Sequence, residues 1–307
     1  KISYSTDTTA ASPGAALSNA RYGVAASSAQ ANSLPITSIV PQTTTLASFT
    51  SAAYFAGGGS PGSPNYAFVD KIPYSNDTRT TLPSSGSLSL ARYGLTATGS
   101  STAGYFGGGK SGVYPYSIMD KTTYSTDTTA LLPGAALSAA RYGLTATGST
   151  TAGYFGGGGS SGSRSVDKLT YSTDTTAASP SASLSAVRYN MGASSSPTAG
   201  YFGGGDPSYL SIIDRINYVD DTRTTLPSGL TIGKSGLTAT GSTLAGYFGG
   251  GSVSTIPNLS SSVDKLTYSS ETPSITPSAA LGTASLYKSA TTTTGLTNSL
   301  PTFSSIV

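Results

Sequence analysis

The stretch at residues 141–176 reads RYGLTATGSTTAGYFGGGGSSGSRSVDKLTYSTDTT, and edited copies of it fill the chain. Its centre is AGYFGGG, or AYFAGGG in the first copy, and these copies begin at Ala53, Ala103, Ala152, Ala199 and Ala245. The copies therefore follow one another at intervals of roughly 50 residues. A self-similar period of this length is typical of proteins built from repeated supersecondary units.

Each copy has the pattern of four short β-strands. In the copy at 141–176, residues 144–147 and 152–155 are short apolar runs, and residues 165–171 alternate between apolar and polar. The STDTT that follows has side chains that bond nearby backbone amides in turns, and residues 184–189 fit a fourth strand. Four short strands with a glycine cluster after the second are typical of a propeller blade.

Two resemblances follow from these motifs. The order of these features resembles a kelch-type repeat. In that order, a strand ends in glycines and is followed by a variable loop, a strand that ends in Tyr, a turn, and an Arg before the next strand. Two features depart from that pattern, since no Trp follows the Tyr and the glycine pair is a triplet. The sequence motifs of each copy are similar to repeats in virion proteins of phages that infect marine cyanobacteria. These motifs are YSTDTTA, LSAARYGLTATGST, AGYFGGG and VDK. The resemblance implies a β-propeller fold and a place on a virion.

The number of motif copies predicts the number of blades. A YSxDT-type motif occurs six times, at Tyr4, Tyr74, Tyr124, Tyr171, Tyr218 and Tyr268. Residues 305–307 followed by residues 1–4 mirror residues 262–268, so the N-terminal strand is expected to pair with C-terminal strands and leave no open sheet edge. We therefore predict an all-β, six-bladed propeller of kelch-like repeats with a period of about 47–50 residues. The alternative to a closed propeller is that the 307 residues are one segment of a longer tandem array of repeats.

The chain is expected to form one domain, residues 1–307, with one long insertion. The first interval between YSxDT-type motifs is longer than the others, and the excess lies in residues 29–50. This insertion is too short for another blade, so a long loop or an extra hairpin is predicted there.

Composition excludes several classes of function. Charged residues are 9% of the 307 and the net charge is +3, so no basic surface for nucleic acid is expected. His and Cys are both absent, which excludes imidazole or thiolate metal sites and Ser-His-Asp or Cys-His nucleophiles. No apolar run is long enough to span a membrane. We expect no enzyme activity and no cofactor.

Charged residues that stay the same in every copy are predicted to serve packing. The repeated arginines, replaced by Lys234 in the fifth copy, are Arg21, Arg92, Arg141 and Arg188. The repeated aspartates are Asp70, Asp120, Asp167, Asp214 and Asp264. Each Arg is expected to pair with a repeated Asp as a strut between neighbouring blades. For Arg141, the expected partner is Asp127 or Asp174.

The loop after each glycine triplet varies from copy to copy, and it is the candidate for binding. These loops contain four tyrosines that stand out: Tyr66, Tyr114, Tyr116 and Tyr209. Tyrosine offers a flat apolar face and a hydroxyl, which suits recognition of sugars or proteins. The alternative is that these rings cap blade edges or line subunit contacts.

Together these observations predict a non-enzymatic structural or adhesive module of a phage virion, such as a tail fibre, head fibre or decoration protein. Its expected partners are other virion proteins or a host-surface glycan, with a homo-oligomer left open, and its expected location is the virion or the extracellular space. A secreted or cell-surface carbohydrate-binding lectin is the alternative.

Overall fold

The protein is an all-β propeller. The computed structural model describes residues 2–3, 8–9, 16–18, 24–28, 52–59, 64–253, 258–281 and 284. These residues form five antiparallel blades and one separate two-stranded sheet. Helical structure in the described residues is limited to short 3₁₀ turns, at Ser84–Gly86, Pro133–Ala135, Pro180–Ala182 and Pro277–Ala279.

The strands run in chain order from the inside of each blade to the outside. Blade 1 contains β3 (Ala25–Ser28), β4 (Ala52–Ala56), β5 (Val69–Pro73) and β6 (Thr80–Thr81). Blade 2 contains β7 (Tyr93–Gly99), β8 (Ala103–Ser111), the short β9 (Tyr114–Pro115), β10 (Met119–Thr123) and β11 (Thr128–Leu131). Blade 3 contains β12 (Thr145–Gly148), β13 (Ala152–Gly156), β14 (Val166–Thr170) and β15 (Thr175–Ala178). Blade 4 contains β16 (Gly192–Ser195), β17 (Ala199–Gly203), β18 (Ile213–Asn217) and β19 (Arg223–Thr225). Blade 5 contains β20 (Thr238–Gly241), β21 (Ala245–Gly249), β22 (Val263–Thr267) and β23 (Thr272–Ile275).

The sequence motifs set the same register in all five blades. In each blade the motif Phe of the second strand lies opposite the repeated Asp of the third, as in Phe155 with Asp167 and Phe202 with Asp214. The second strand is buried along almost its whole length, which explains its run of small and aromatic residues. The third strand alternates after a buried start, as the period-two pattern predicts.

The prediction of six blades is wrong, because the structure has five. Each of the five blades has an AGYFGGG strand, or AYFAGGG in blade 1, as its second strand, and that motif has five copies. In the described part of the chain, the sixth YSxDT-type motif, at the N-terminus, accounts for the hairpin of β1 (Ile2–Ser3) and β2 (Thr8–Thr9). This hairpin has the register of an outer strand pair, with Ile2 opposite Thr9 as Leu169 is opposite Thr176. The count of YSxDT-type motifs therefore overestimates the number of blades.

The closure of a sixth blade by the N- and C-terminal strands is not seen within the described residues. Among the described strands β1 pairs with β2, and β2 contacts the turn Pro277–Ala279 after blade 5. Residues 305–307, which were expected to continue this sheet, lie outside the described residues. So does the insertion at 29–50, whose predicted loop or hairpin stays a prediction.

The hydrophobic core lies between blades rather than within them. Four of the five buried clusters of described residues join two neighbouring blades, as where Val69 of blade 1 packs with Leu95 and Phe106 of blade 2. The motif phenylalanine fits against a glycine of the preceding blade: a Cβ added to Gly203 would lie 2.8 Å from the Phe248 ring. The glycines therefore allow the close approach of strands that the sequence predicts.

Paired tyrosines join the blades at the end where the second strands begin. The motif Tyr of one blade stacks on the YSxDT Tyr of the next, with ring centroids 4.8–5.3 Å apart. Its hydroxyl donates to an acidic residue in the next blade's turn, as Tyr105 does to Asp174 at 2.7 Å. A lysine reaches the same carboxylate, as in Lys121 with Asp174 at 2.6 Å. The tyrosine and lysine of this motif thus act as contacts between blades.

Candidate binding face

One end of the propeller carries the loops that follow the glycine triplets, and these loops differ from repeat to repeat. We call it the loop face: it comprises the loops between the second and third strands (64–68, 110–118, 159–165, 206–212 and 258–262) and the links before the innermost strands (88–92, 137–142, 184–190 and 230–236). The other end, formed by the turns after the first and third strands, we call the turn face. Backbone bonds hold each link against the preceding loop, as where the Arg92 amide donates to the Tyr66 carbonyl.

A buried charged strut lies under each described link. The arginine backbone bonds the preceding blade while its side chain enters the following blade, so that each arginine joins two neighbours. The Arg141 amide donates to Tyr116 and its carbonyl accepts from Gly109, both in blade 2. Its guanidinium donates to the carbonyls of Gly157 and Ser165 and to the Asp167 carboxylate in blade 3.

The same arrangement recurs at the other links. Arg92 pairs with Asp120 at 2.7 Å, Arg188 pairs with Asp214, and Lys234 pairs with Asp264 at 2.7 Å. All six of these side chains are fully buried. Burial lowers the pKa of Arg92, Arg141 and Arg188, and the facing aspartate offsets part of that effect.

The prediction that Arg141 pairs with Asp127 or Asp174 is wrong, because its partner is Asp167. Asp127 and Asp174 lie in turns on the turn face, where they bind Lys71 and Lys121, so neither is available to Arg141. Arg21 lies outside the described residues. Asp70 is buried and accepts from the Ser18 amide and hydroxyl.

A chain of backbone hydrogen bonds links the innermost strands of blades 2 to 5 at the loop face. Gly143 donates to Gly94, Asn190 donates to Gly143, and Gly236 donates to Asn190. All four residues have positive φ, between 55° and 66°, which explains why three of them are glycine and the fourth is asparagine. This belt fixes the positions from which the variable loops project.

The four predicted tyrosines all lie on the loop face, but they differ in exposure. Tyr114 is 70% exposed at the tip of the β8–β9 hairpin. Tyr66, Tyr116 and Tyr209 are half-buried, and Tyr66 packs against Phe68 with ring centroids 4.9 Å apart. The loops therefore present one prominent aromatic side chain among these four rather than a ring of equivalent ones.

Sequence reasoning missed several side chains on this face. Val113, next to Tyr114, is 80% exposed. The links add three further exposed apolar side chains: Leu90, Val187 and Ile232. They escaped notice because they sit beside the constant arginines, where packing was expected. Comparison of the two residues before each strut among the copies would have found them.

Lys110 is a charged residue of the loop face that the sequence alone did not single out. It follows the glycine triplet of blade 2, where blades 3 to 5 have Gly159, Asp206 and Ser252. Its ammonium lies 3.9 Å from the ring centroid of Tyr142 and 5.3 Å from that of Tyr93. Partial burial opposes the charge of Lys110, but the two tyrosine hydroxyls outweigh it and raise the pKa of Lys110. The side chain is therefore a cation at neutral pH.

A cavity of about 530 Å³ lies beside Lys110. It runs between the β8–β9 hairpin of blade 2 and the glycine-serine loop of blade 3, above the link that contains Arg141. Its walls combine Val113 and Pro115 with the serine-rich segment 160–163. The arrangement offers apolar surface, hydroxyls and one cation in a single recess.

No known protein-family model matches this chain, and no curated protein is detectably similar to it. The resemblance to kelch-type repeats and to phage virion proteins therefore rests on the sequence motifs alone. The β-propeller architecture is consistent with a module for molecular interaction. In the described part of the chain, no helix is long and apolar enough to cross a membrane.

Proposed function

We propose that this protein is a non-enzymatic binding module that attaches through its loop face, as a structural or adhesive component of a phage virion. Its partners are other virion proteins or a host-surface glycan, and it acts on the virion or outside the cell. The virion assignment is supported by the resemblance of the repeats to phage virion proteins. A secreted or cell-surface lectin is the alternative, and it would use the same face.

The observation that carries the proposal is the separation of constant and variable side chains. The repeated Arg, Asp, Tyr and Lys residues are engaged in contacts between blades. The loops after the glycine triplets differ from copy to copy, and on the loop face they expose Val113 and Tyr114 to solvent. Exposed apolar and aromatic side chains on loops held by a rigid scaffold are typical of binding surfaces.

The turn face supplies a matched control for the experiment. It also has exposed apolar side chains, at Val219 (88% exposed) and Leu244 (76% exposed). The double variant Val113→Ser/Tyr114→Ser removes apolar surface from the loop face. The double variant Val219→Ser/Leu244→Ser removes a comparable surface from the turn face.

We expect the loop-face variant to lose attachment and the turn-face variant to keep it, with both retaining the melting temperature of the parent. Attachment is measured with the purified, labelled protein on candidate host cells and on virions that lack it. Loss of an aromatic anchor at an interface typically costs about 2 kcal/mol or more, which is roughly a thirtyfold weaker affinity. Equal attachment of both variants would contradict the loop face as the binding surface. Copurification with virions separates the virion role from the lectin alternative.

A further inference from the structure

The charge on Lys110 has no carboxylate partner within the described residues, unlike the charges that recur in the repeats. The repeated lysines Lys71, Lys121 and Lys168 pair with acidic residues of the next blade, and the strut cations pair with buried aspartates. Lys110 instead lies against two aromatic rings. Such contacts orient an ammonium without neutralising its charge.

Folding does not require a lysine at this position. The equivalent residues in blades 3, 4 and 5 are Gly159, Asp206 and Ser252, and those blades have the same strand order and register as blade 2. The residue that follows the triplet is therefore free to vary without loss of the blade. Lys110 is a feature of one blade and not of the repeat.

The cavity beside Lys110 has the size and the chemistry of a site for a small polar ligand. Its volume of about 530 Å³ falls within the range of roughly 300–1,000 Å³ for such sites. Val113, Pro115 and Tyr142 supply apolar surface, and Ser160 and Ser161 supply exposed hydroxyls.

The net charge of the lining favours an anion. Lys110 and Arg141 are the charged residues of the lining, and no carboxylate belongs to it. Arg141 is neutralised by Asp167, so the free charge of the site is the single positive charge of Lys110. A carboxylate or sulfate placed there gains a charge-assisted hydrogen bond, while the remaining surface suits a ring that has both C–H and hydroxyl groups.

We propose that this cavity binds an acidic saccharide unit, with its anionic group on Lys110, its hydroxyls on Ser160 and Ser161, and its C–H face on Val113 and Pro115. The inference rests on the proposed function in one respect, namely that the loop face is the binding face, and it adds the chemical class of the ligand. The anionic group is a uronic carboxylate or a sulfate ester, and the probes below distinguish the two.

The test is titration calorimetry of the full chain with three probes of equal length: trigalacturonate, a sulfated galactotriose and neutral galactotriose. We expect one of the acidic probes to bind, the neutral probe to bind at least about tenfold more weakly, and the acidic affinity to fall as salt is added. Lys110→Met is expected to weaken acidic binding about tenfold or more, since it removes one charge-assisted bond. Lys110→Arg is expected to retain most of that binding.

Arg164→Met is the matched control. Arg164 belongs to the same loop as Ser160 and Ser161, is exposed, and lies outside the cavity lining. Its removal takes the same charge from the same face and should leave acidic binding unchanged. A loss equal to that of Lys110→Met would show a general electrostatic effect and overturn the site.

The remaining outcomes of the titrations also support or overturn the proposed site. Equal binding of the neutral probe, equal binding of an acidic peptide, or binding that Lys110→Met does not alter would each overturn the acidic-saccharide site. If none of the probes binds while attachment still depends on Val113 and Tyr114, this inference fails and the proposed function stands. If attachment does not depend on the loop face but Lys110-dependent binding of an acidic probe is seen, the proposed function fails and the saccharide site stands. Melting temperatures of the Lys110 variants should match the parent, because other blades fold without this lysine.

Discussion

The charged struts under the links are expected to contribute strongly to stability, and blade 4 offers the sharpest test. Arg188 and Asp214 are both fully buried. Asp214 also accepts from the Ser185 amide and hydroxyl, at 2.9 Å each. Arg188→Met removes the buried partner of this carboxylate and leaves only the partly exposed Arg223, whose guanidinium lies 3.6 Å from the other carboxylate oxygen. Removing one partner of such a pair typically costs about 3–5 kcal/mol.

The chain itself provides a graded comparison. Arg188 donates to the carbonyls of Phe202, Gly204 and Ile212, whereas Lys234, which takes its place in the next blade, donates to the single carbonyl of Ser262. Arg188→Lys should therefore keep the charge pair, lose carbonyl bonds, and cost about 1–3 kcal/mol. Lys168→Met breaks a pair that is about one-third exposed at Lys168, and it should cost at most about 1 kcal/mol.

The measurement is urea unfolding of the three variants and the parent, followed by tyrosine fluorescence and by circular dichroism. The expected order of destabilisation is Arg188→Met, then Arg188→Lys, then Lys168→Met. If Arg188→Met costs no more than Lys168→Met, the struts are not a major source of stability and the reasoning from burial is refuted.

Two further predictions concern glycine geometry and alkaline pH. Gly108 has φ +68°, and a Cβ there would lie 2.6 Å from the Arg141 carbonyl, so Gly108→Ala should lower the free energy of unfolding by about 1–3 kcal/mol. Gly134→Ala is the control, because no atom lies within 4 Å of a Cβ added to Gly134. Equal melting temperatures of the two variants would contradict the prediction. Burial first, and then the hydrogen bond to an acidic residue, raise the pKa of Tyr54, Tyr105 and Tyr154 above the ordinary value. The stability that these tyrosines contribute is therefore complete below about pH 10 and falls as the pH rises further, because the unfolded chain releases its phenol protons first. Unfolding free energies measured across this range should decline from about pH 10, and replacing all three tyrosines by Phe should make the decline shallower; an unchanged slope would count against the argument.

Local pattern determined much of this fold. The period identified a repeat, the short apolar and alternating runs identified three strands of each blade, and the glycine triplets identified backbone that other residues do not easily adopt. These features depend on residues close together in the chain. For the same reason the repeat comparison separated packing residues from loop residues, and it predicted that the repeated arginines meet repeated aspartates. The prediction of a fourth strand at residues 184–189 is wrong, because these residues form the link before blade 4, and the outer strand is β15 (Thr175–Ala178), where a turn was predicted.

The number of blades and the partners of individual side chains depended on tertiary structure. A YSxDT-type motif marks an outer strand pair wherever it occurs, but a blade exists only where four strands pair, and pairing is not a local property. Arg141 meets Asp167, which lies 26 residues along the chain, because the link crosses from one blade to the next and the side chain enters the blade that follows. Several aspartates per repeat fit the same local pattern, so the sequence does not choose among them.

The candidate site shows the same division. The sequence located the variable loops and their tyrosines, because differences among copies are visible in one chain. It did not show that Lys110 contacts Tyr142 in the link to the next blade, or that the β8–β9 hairpin and the glycine-serine loop of blade 3 line one open cavity. Those contacts join segments of two different repeats, and packing of neighbouring blades is what brings them together.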